Sequence, residues 1–123
     1  MKFSRYKDVA IGQQIDFDYA MDIEEIVINL ITTSTVGNRQ LAITVFNSSD
    51  EQQSQVTAYA TVAEDSTALF LFYQSVTEDD SGGVIITDLS GSHISVPAGG
   101  YITVTDTNST DASDTITVDL IAA

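Results

Sequence analysis

Cysteine and tryptophan are missing from this chain of 123 residues, and proline and histidine occur only once each. Without cysteine there is no disulfide framework, no thiolate nucleophile and no cysteine–zinc site, and no redox compartment is defined. Without tryptophan a carbohydrate-binding surface loses its commonest stacking platform, although five tyrosines and five phenylalanines remain to replace it. Bases are scarce as well. Four lysines and arginines stand against eighteen acids, a formal net charge of −14. A field of that sign repels phosphate backbones and anionic lipid headgroups, so neither nucleic acid nor membrane is an expected partner. Its plainest consequence is solubility. No apolar run approaches the roughly 18 residues that span a bilayer. The charged start is not followed by the apolar core of a secretory signal, because "YKDVAIGQQIDFDY" is broken by polar residues. No cleaved signal is expected, and the sequons at Asn47 and Asn108 read as ordinary loop chemistry.

What is present is alternation. Ile15, Phe17 and Tyr19 alternate with Asp16 and Asp18, and Leu41, Ile43 and Val45 with Ala42 and Thr44. Val56, Ala58, Ala60 and Val62 continue the same pattern. A period of two in β-branched and aromatic residues means strands with one buried face. Residues 69–73 and 84–86 are short continuous apolar runs, expected as strands covered on both sides. Turn chemistry recurs at Gly37-Asn38, 47–51, 64–66, 78–83, 90–92 and 98–100. The spacing predicts an all-β chain: an antiparallel β-sandwich of eight or nine short strands, jelly-roll or immunoglobulin-like, with little or no helix. Its expected core is Ile15, Phe17, Ile43, Val45, Leu71, Ile86, Ile102, Val104, Ile116 and Val118.

"MDIEEIVINLI" reads two ways. Ile23, Ile26, Val27, Leu30 and Ile31 have helical spacing, and Asp22 with Glu25 has capping-box spacing. As a strand the same segment buries Ile26, Ile28 and Leu30, and its β-branched density favours that reading. The final 25 residues before Ile121 suggest a hairpin. Pairing Asp106 with Asp114 sets Val104 opposite Ile116 and Ile102 opposite Val118, with Thr103 facing Thr117 and Thr105 facing Thr115.

Candidate chemistry is thin. His93 has only Ser90, Ser92 and Ser95 as sequence neighbours and reads as a turn or strand-edge residue rather than a general base. Asp106, Asn108, Thr110 and Asp111 begin like an EF-hand calcium loop. Asp111 then stands where glycine is needed and Thr117 where the bidentate Glu is needed, so that motif fails. Looser calcium binding by Asp106, Asn108 and Asp111, or by Asp79 and Asp80 beside Glu78, is the remaining metal candidate. There is no phosphate loop, no dinucleotide-binding glycine motif, no H-E-x-x-H and no nucleophile elbow. No catalytic residue, cofactor or enzymatic activity is expected.

"HISVPAGGYITVTDTNSTDASDTITVDLI" resembles the ending of small β-sandwich proteins of tailed-phage virions, head decoration (cement) proteins among them. The resemblance spans about Ser92 to Ile121. It implies a non-enzymatic structural protein on the outer surface of a capsid, with the major capsid protein and further copies of itself as partners. A neck, tail or glycan-binding receptor component of the virion has the same composition. An acidic mimic of DNA is a third reading.

Three of the four bases, Lys2, Arg5 and Lys7, lie in the first seven residues, interleaved with Phe3 and Tyr6. This predicts a basic N-terminal arm over residues 1–12, ahead of one domain over 13–123. Lys2, Phe3, Arg5, Tyr6 and Lys7 would be its anchors on a neighbour. The competing reading makes the same residues a first strand of the protein's own sheet.

Overall fold

A computed structural model describes residues 3–89 and 94–122, with side chains from Val9 onward. No helix occurs among them. Eleven strands form a seven-stranded and a four-stranded sheet, stacked with their apolar faces together. The chain starts on the larger sheet with β1 (Phe3–Ala10), crosses to β2 (Ile15–Asp16), returns as β3 (Met21–Ile31) and crosses again as β4 (Leu41–Phe46). There β4 pairs with β5 (Gln52–Thr57), and β6 (Thr67–Tyr73) carries the chain back. After β7 (Asp79–Ser81), β8 (Val84–Asp88) and β9 (Ile94–Val96), β10 (Tyr101–Asp106) joins the smaller sheet and β11 (Thr115–Ala122) the larger.

The order β1-β11-β3-β6 therefore faces β2-β10-β4-β5. This interleaving, with the strands alternating between the sheets except at the β4–β5 hairpin, is the jelly roll. Three further strands are inserted between β6 and β10. β8 lies parallel to β6, the one parallel pair among the described residues, and β7 closes the edge beyond it. A two-residue turn joins β7 to β8, and both Gly82 (φ 62°) and Gly83 (φ 78°) are left-handed, as a type I′ hairpin requires. β9 pairs with the start of β3, which settles residues 21–31 as a strand.

The expected C-terminal hairpin is not formed. β10 pairs with β4, Val104 beside Ile43 and Ile102 beside Val45, while β11 pairs with β3, Val118 beside Ile28 and Leu120 beside Ile26. Ile102, Val104, Ile116 and Val118 are all buried, but from opposite sheets. Alternation demands only that one face of each strand leave water. Packing across the sandwich meets that demand as well as pairing edge to edge does.

Two core expectations also change. Leu71 and Ile86 lie side by side on the outer face of the large sheet, half-buried, and Phe70, Phe72 and Ile85 fill the core in their place. A continuous apolar run carries no phase, so either set could have faced inward. The expected strand through Val62 stops at Thr57; Ala58 and Val62 are buried in a loop, where Val62 bridges Arg39. Beyond the two residues of β2, Phe17 is buried while Tyr19 is exposed.

The segment expected as a basic arm is, from Phe3 to Ala10, the outermost strand of the large sheet. It pairs with β11 along its whole length, Arg5 beside Leu120 and Lys7 beside Val118. The backbone thus follows the first-strand reading. Lys2, His93, Ser90 and Ser92 lie outside the described residues.

Candidate functional site

The loops β1–β2, β3–β4, β5–β6 and β10–β11 share one end of the sandwich, and Arg39 sits among them. It is fully buried, the largest such side chain among the described residues. An isolated guanidinium could not exist there, so its surroundings must supply both a counter-charge and acceptors. They do. Nε donates to Asp114 Oδ2 at 2.8 Å and Nη2 to Asp114 Oδ1 at 3.3 Å. Nη1 donates to the carbonyls of Thr35 (2.8 Å) and Gly37 (2.7 Å), and Nη2 also to Thr33 Oγ1 at 3.3 Å. All five N–H groups of the fork are satisfied. The Asp114 hydrogen bond holds the Arg39 pKa above its ordinary value, outweighing the opposing effect of burial.

The partners are themselves tied. Asp114 Oδ1 accepts the Thr33 N–H at 2.9 Å, and Asp111 accepts hydroxyls from Thr33 and, at 2.7 Å, Thr35. Those two hydroxyls, then the Ser113 N–H, hold the Asp111 carboxyl well below the usual carboxylate range. Asp106 works on the adjoining strand end. Its carboxylate accepts N–H groups from Gln40 (2.9 Å), Asn108 (3.0 Å) and Thr110 (2.8 Å). Burial alone would raise its pKa, but these backbone donors together lower it. Asn108 Nδ2 and Thr110 Oγ1 each donate to the carbonyl of Asn38 at 2.9 Å. Thr32 Oγ1 reaches Ala63 O at 2.8 Å and brings in the β5–β6 loop. The end of the sandwich is stitched shut by its own chain.

This arrangement bears on the calcium candidates. Asp106, Asn108 and Asp111 do come together where β10 runs into its loop, and Asp106 and Asp111 line a cleft of 250 Å³ with Ile11 and Ser109. Yet both carboxylates accept N–H and O–H groups of the protein, and Asn108 points its amide nitrogen at Asn38. Asp79 and Asp80 are elsewhere, on the outermost strand β7, where Asp79 accepts the Ser81 hydroxyl at 2.8 Å. Among the described residues no three His, Cys, Asp or Glu side chains converge as metal ligands. Arg39 was missed by sequence reasoning. The available signal was its isolation, a single base beyond residue 7 in an acidic chain, since a lone cation among many acids has partners at hand.

The sheet faces differ sharply. On the small sheet, Phe46 and Tyr101 are cross-strand neighbours whose rings stack at 4.8 Å and 17°, and the tyrosine hydroxyl donates to Asp50 at 2.9 Å. Burial, then that hydrogen bond, raises the Tyr101 pKa. Around them the face is polar, with Thr44, Thr103 and Gln55 in one register row. The outer face of the large sheet is apolar at its centre. Val27, Leu71 and Ile86 stand abreast on β3, β6 and β8, with Leu69 and Val84 abreast in the next row. All five are only half-buried. Tyr73 follows Leu71 along β6 and lines a cleft of 510 Å³ with Glu24, Glu25 and Val76.

No protein-family model matches this chain, and no curated protein is significantly similar to it.

Proposed function

We propose that this chain is a non-enzymatic structural protein of a virion, a decoration or cement protein that docks on the outside of the capsid shell and stabilises it. The observation that carries the reading is the division of labour between the loop end and the sheet face. In the jelly roll the converging loops are the natural place for a site. Here their polar groups are spent on one another, with Arg39 saturated by its own chain. The large sheet instead presents an outer face whose central residues are apolar and, among the described residues, only half-buried. Contiguous apolar surface of this kind marks an interaction site. The jelly-roll fold itself recurs in viral shells and lectins, which agrees with the reading without deciding it. The likeness of residues 92–121 to virion sandwich proteins points the same way.

The test is reconstitution. Particles assembled without this chain should bind the purified protein saturably and survive a higher temperature afterwards. Binding confined to the neck or tail would move the protein to that part of the virion. Failure to bind any part of the particle would refute the proposal.

A further inference from the structure

We infer that the outer face of the seven-stranded sheet is the docking surface, and that its occupant is a protein surface with an aliphatic centre rimmed by lysine and arginine. The inference rests on the virion reading and gives it an address.

The register defines the patch. One row runs Asp119, Val27, Leu71, Ile86, Asp79 across β11, β3, β6, β8 and β7. The next runs Thr117, Asn29, Leu69, Val84, Ser81. Apolar side chains on three strands in the first row and two in the second are thus bracketed by polar or acidic ones, the layout of an interface core and its rim. The size of the apolar zone sets the partner's centre, and charge sets the partner's rim. Even with every base of the chain paired internally, the net charge of −14 remains. Arg39, one of the four bases, is already consumed by Asp114. A second copy pressed onto this face would bring carboxylates against carboxylates between two bodies of like charge, which costs several kcal/mol across an interface. A basic rim turns that cost into attraction and speeds encounter.

The test uses particles lacking this chain and the full-length protein, wild type against Leu71→Glu, with Thr57→Glu on the opposite sheet as control. Leu71 is half-buried and Thr57 exposed, so both variants should keep the parent's melting temperature within a few degrees. The expected result is affinity reduced by about thirtyfold or more for Leu71→Glu, the loss typical of a central anchor. Thr57→Glu should bind as wild type, and all binding should weaken between about 0.1 and 0.5 M salt, over which the screening length falls by roughly half. Should Leu71→Glu fold poorly, Ile86→Gln takes its place with the same expectation. Unchanged affinity in a folded Leu71 or Ile86 variant overturns the inference and leaves the virion reading intact. Wild type that ignores the particles overturns both. Sedimentation velocity of the free protein closes the remaining case: self-association abolished by Leu71→Glu would assign the face to a second copy and overturn the basic partner.

Discussion

Replacing Arg39 by methionine keeps most of the side chain's length and removes its charge. The structure gives the consequence a size. Asp114 would stay behind, buried with 3% of its surface exposed, and would lose two hydrogen bonds and its counter-charge. The carbonyls of Thr35 and Gly37 would lose their donors as well. Breaking a buried pair by removing one partner costs about 3–5 kcal/mol. Unfolding entropy near 2.1 cal/mol/K per residue implies about 4 °C of melting temperature per kcal/mol for a chain of this length, so the variant should melt about 12–20 °C lower. Calorimetry and urea titration at pH 7 measure this directly, and the urea slope should stay unchanged, since the folded and unfolded states keep their compactness. Asp114→Leu should cost a similar amount. The double variant should cost less than the two singles together, with a coupling of at least about 1.5 kcal/mol, because the second change removes the orphaned charge. It should not return to wild type, as the Thr33 N–H and the carbonyls of Thr35 and Gly37 are left without these partners. A melting temperature for Arg39→Met within about 3 °C of the parent would refute the claim that this arginine holds the loops together.

Other expectations follow from single positions. Val118→Asp places a charge where the side chain is fully buried, so it should unfold the protein or cost several kcal/mol, read by thermal melting. Gly100→Ala brings a Cβ to 2.4 Å from the carbonyl oxygen of Phe46 and should destabilise by about 1–3 kcal/mol in urea titration. The Asp106 and Asp111 carboxyls are held below their ordinary value of 3.8, so their contribution is fully present above that pH and fades as pH falls through their folded values. Stability should therefore drop steeply below about pH 4, and Asp111→Asn should flatten that limb while lowering the neutral-pH plateau. Calcium at millimolar concentration should leave the melting temperature unchanged, because the loop carboxylates are already engaged; a rise of several degrees would contradict this hydrogen-bond assignment.

The alternation in residues 41–45, 102–104 and 116–120 was enough to identify strands, because period two is a local property of the chain, although Ala42, Thr44 and Thr103 on the expected outer faces are buried as well. Which strand pairs with which is not local. β10 and β11 carry matching patterns and adjoin in sequence, yet the loop of residues 107–114 arches from one sheet to the other instead of turning back. Asp106 and Asp114, the residues that seemed to end a hairpin, are the anchors of that arch. The runs 69–73 and 84–86 failed differently. Both of their faces are apolar, so the sequence contained the outer apolar patch and the core in one string without saying which was which. The register of β6 with β3 and β8 places Leu71 and Ile86 abreast, and burying Phe70, Phe72 and Ile85 turns them outside. The strand β7 was hidden in a run of acids and serine that reads as a turn, and it forms because Gly82-Gly83 folds it back along β8. The candidate arm at the N-terminus was chosen for its charge, whereas its place in the sheet depends on β11 at the far end of the chain.

A reconstruction of the particle that contains this chain tests the central claim most directly. The account predicts density for the jelly roll on the outer surface of the shell, with Val27, Leu71 and Ile86 against basic residues of the capsid protein. Density at the neck or tail, or a chain seated by the Arg39 loop end with the large sheet facing solvent, would contradict it.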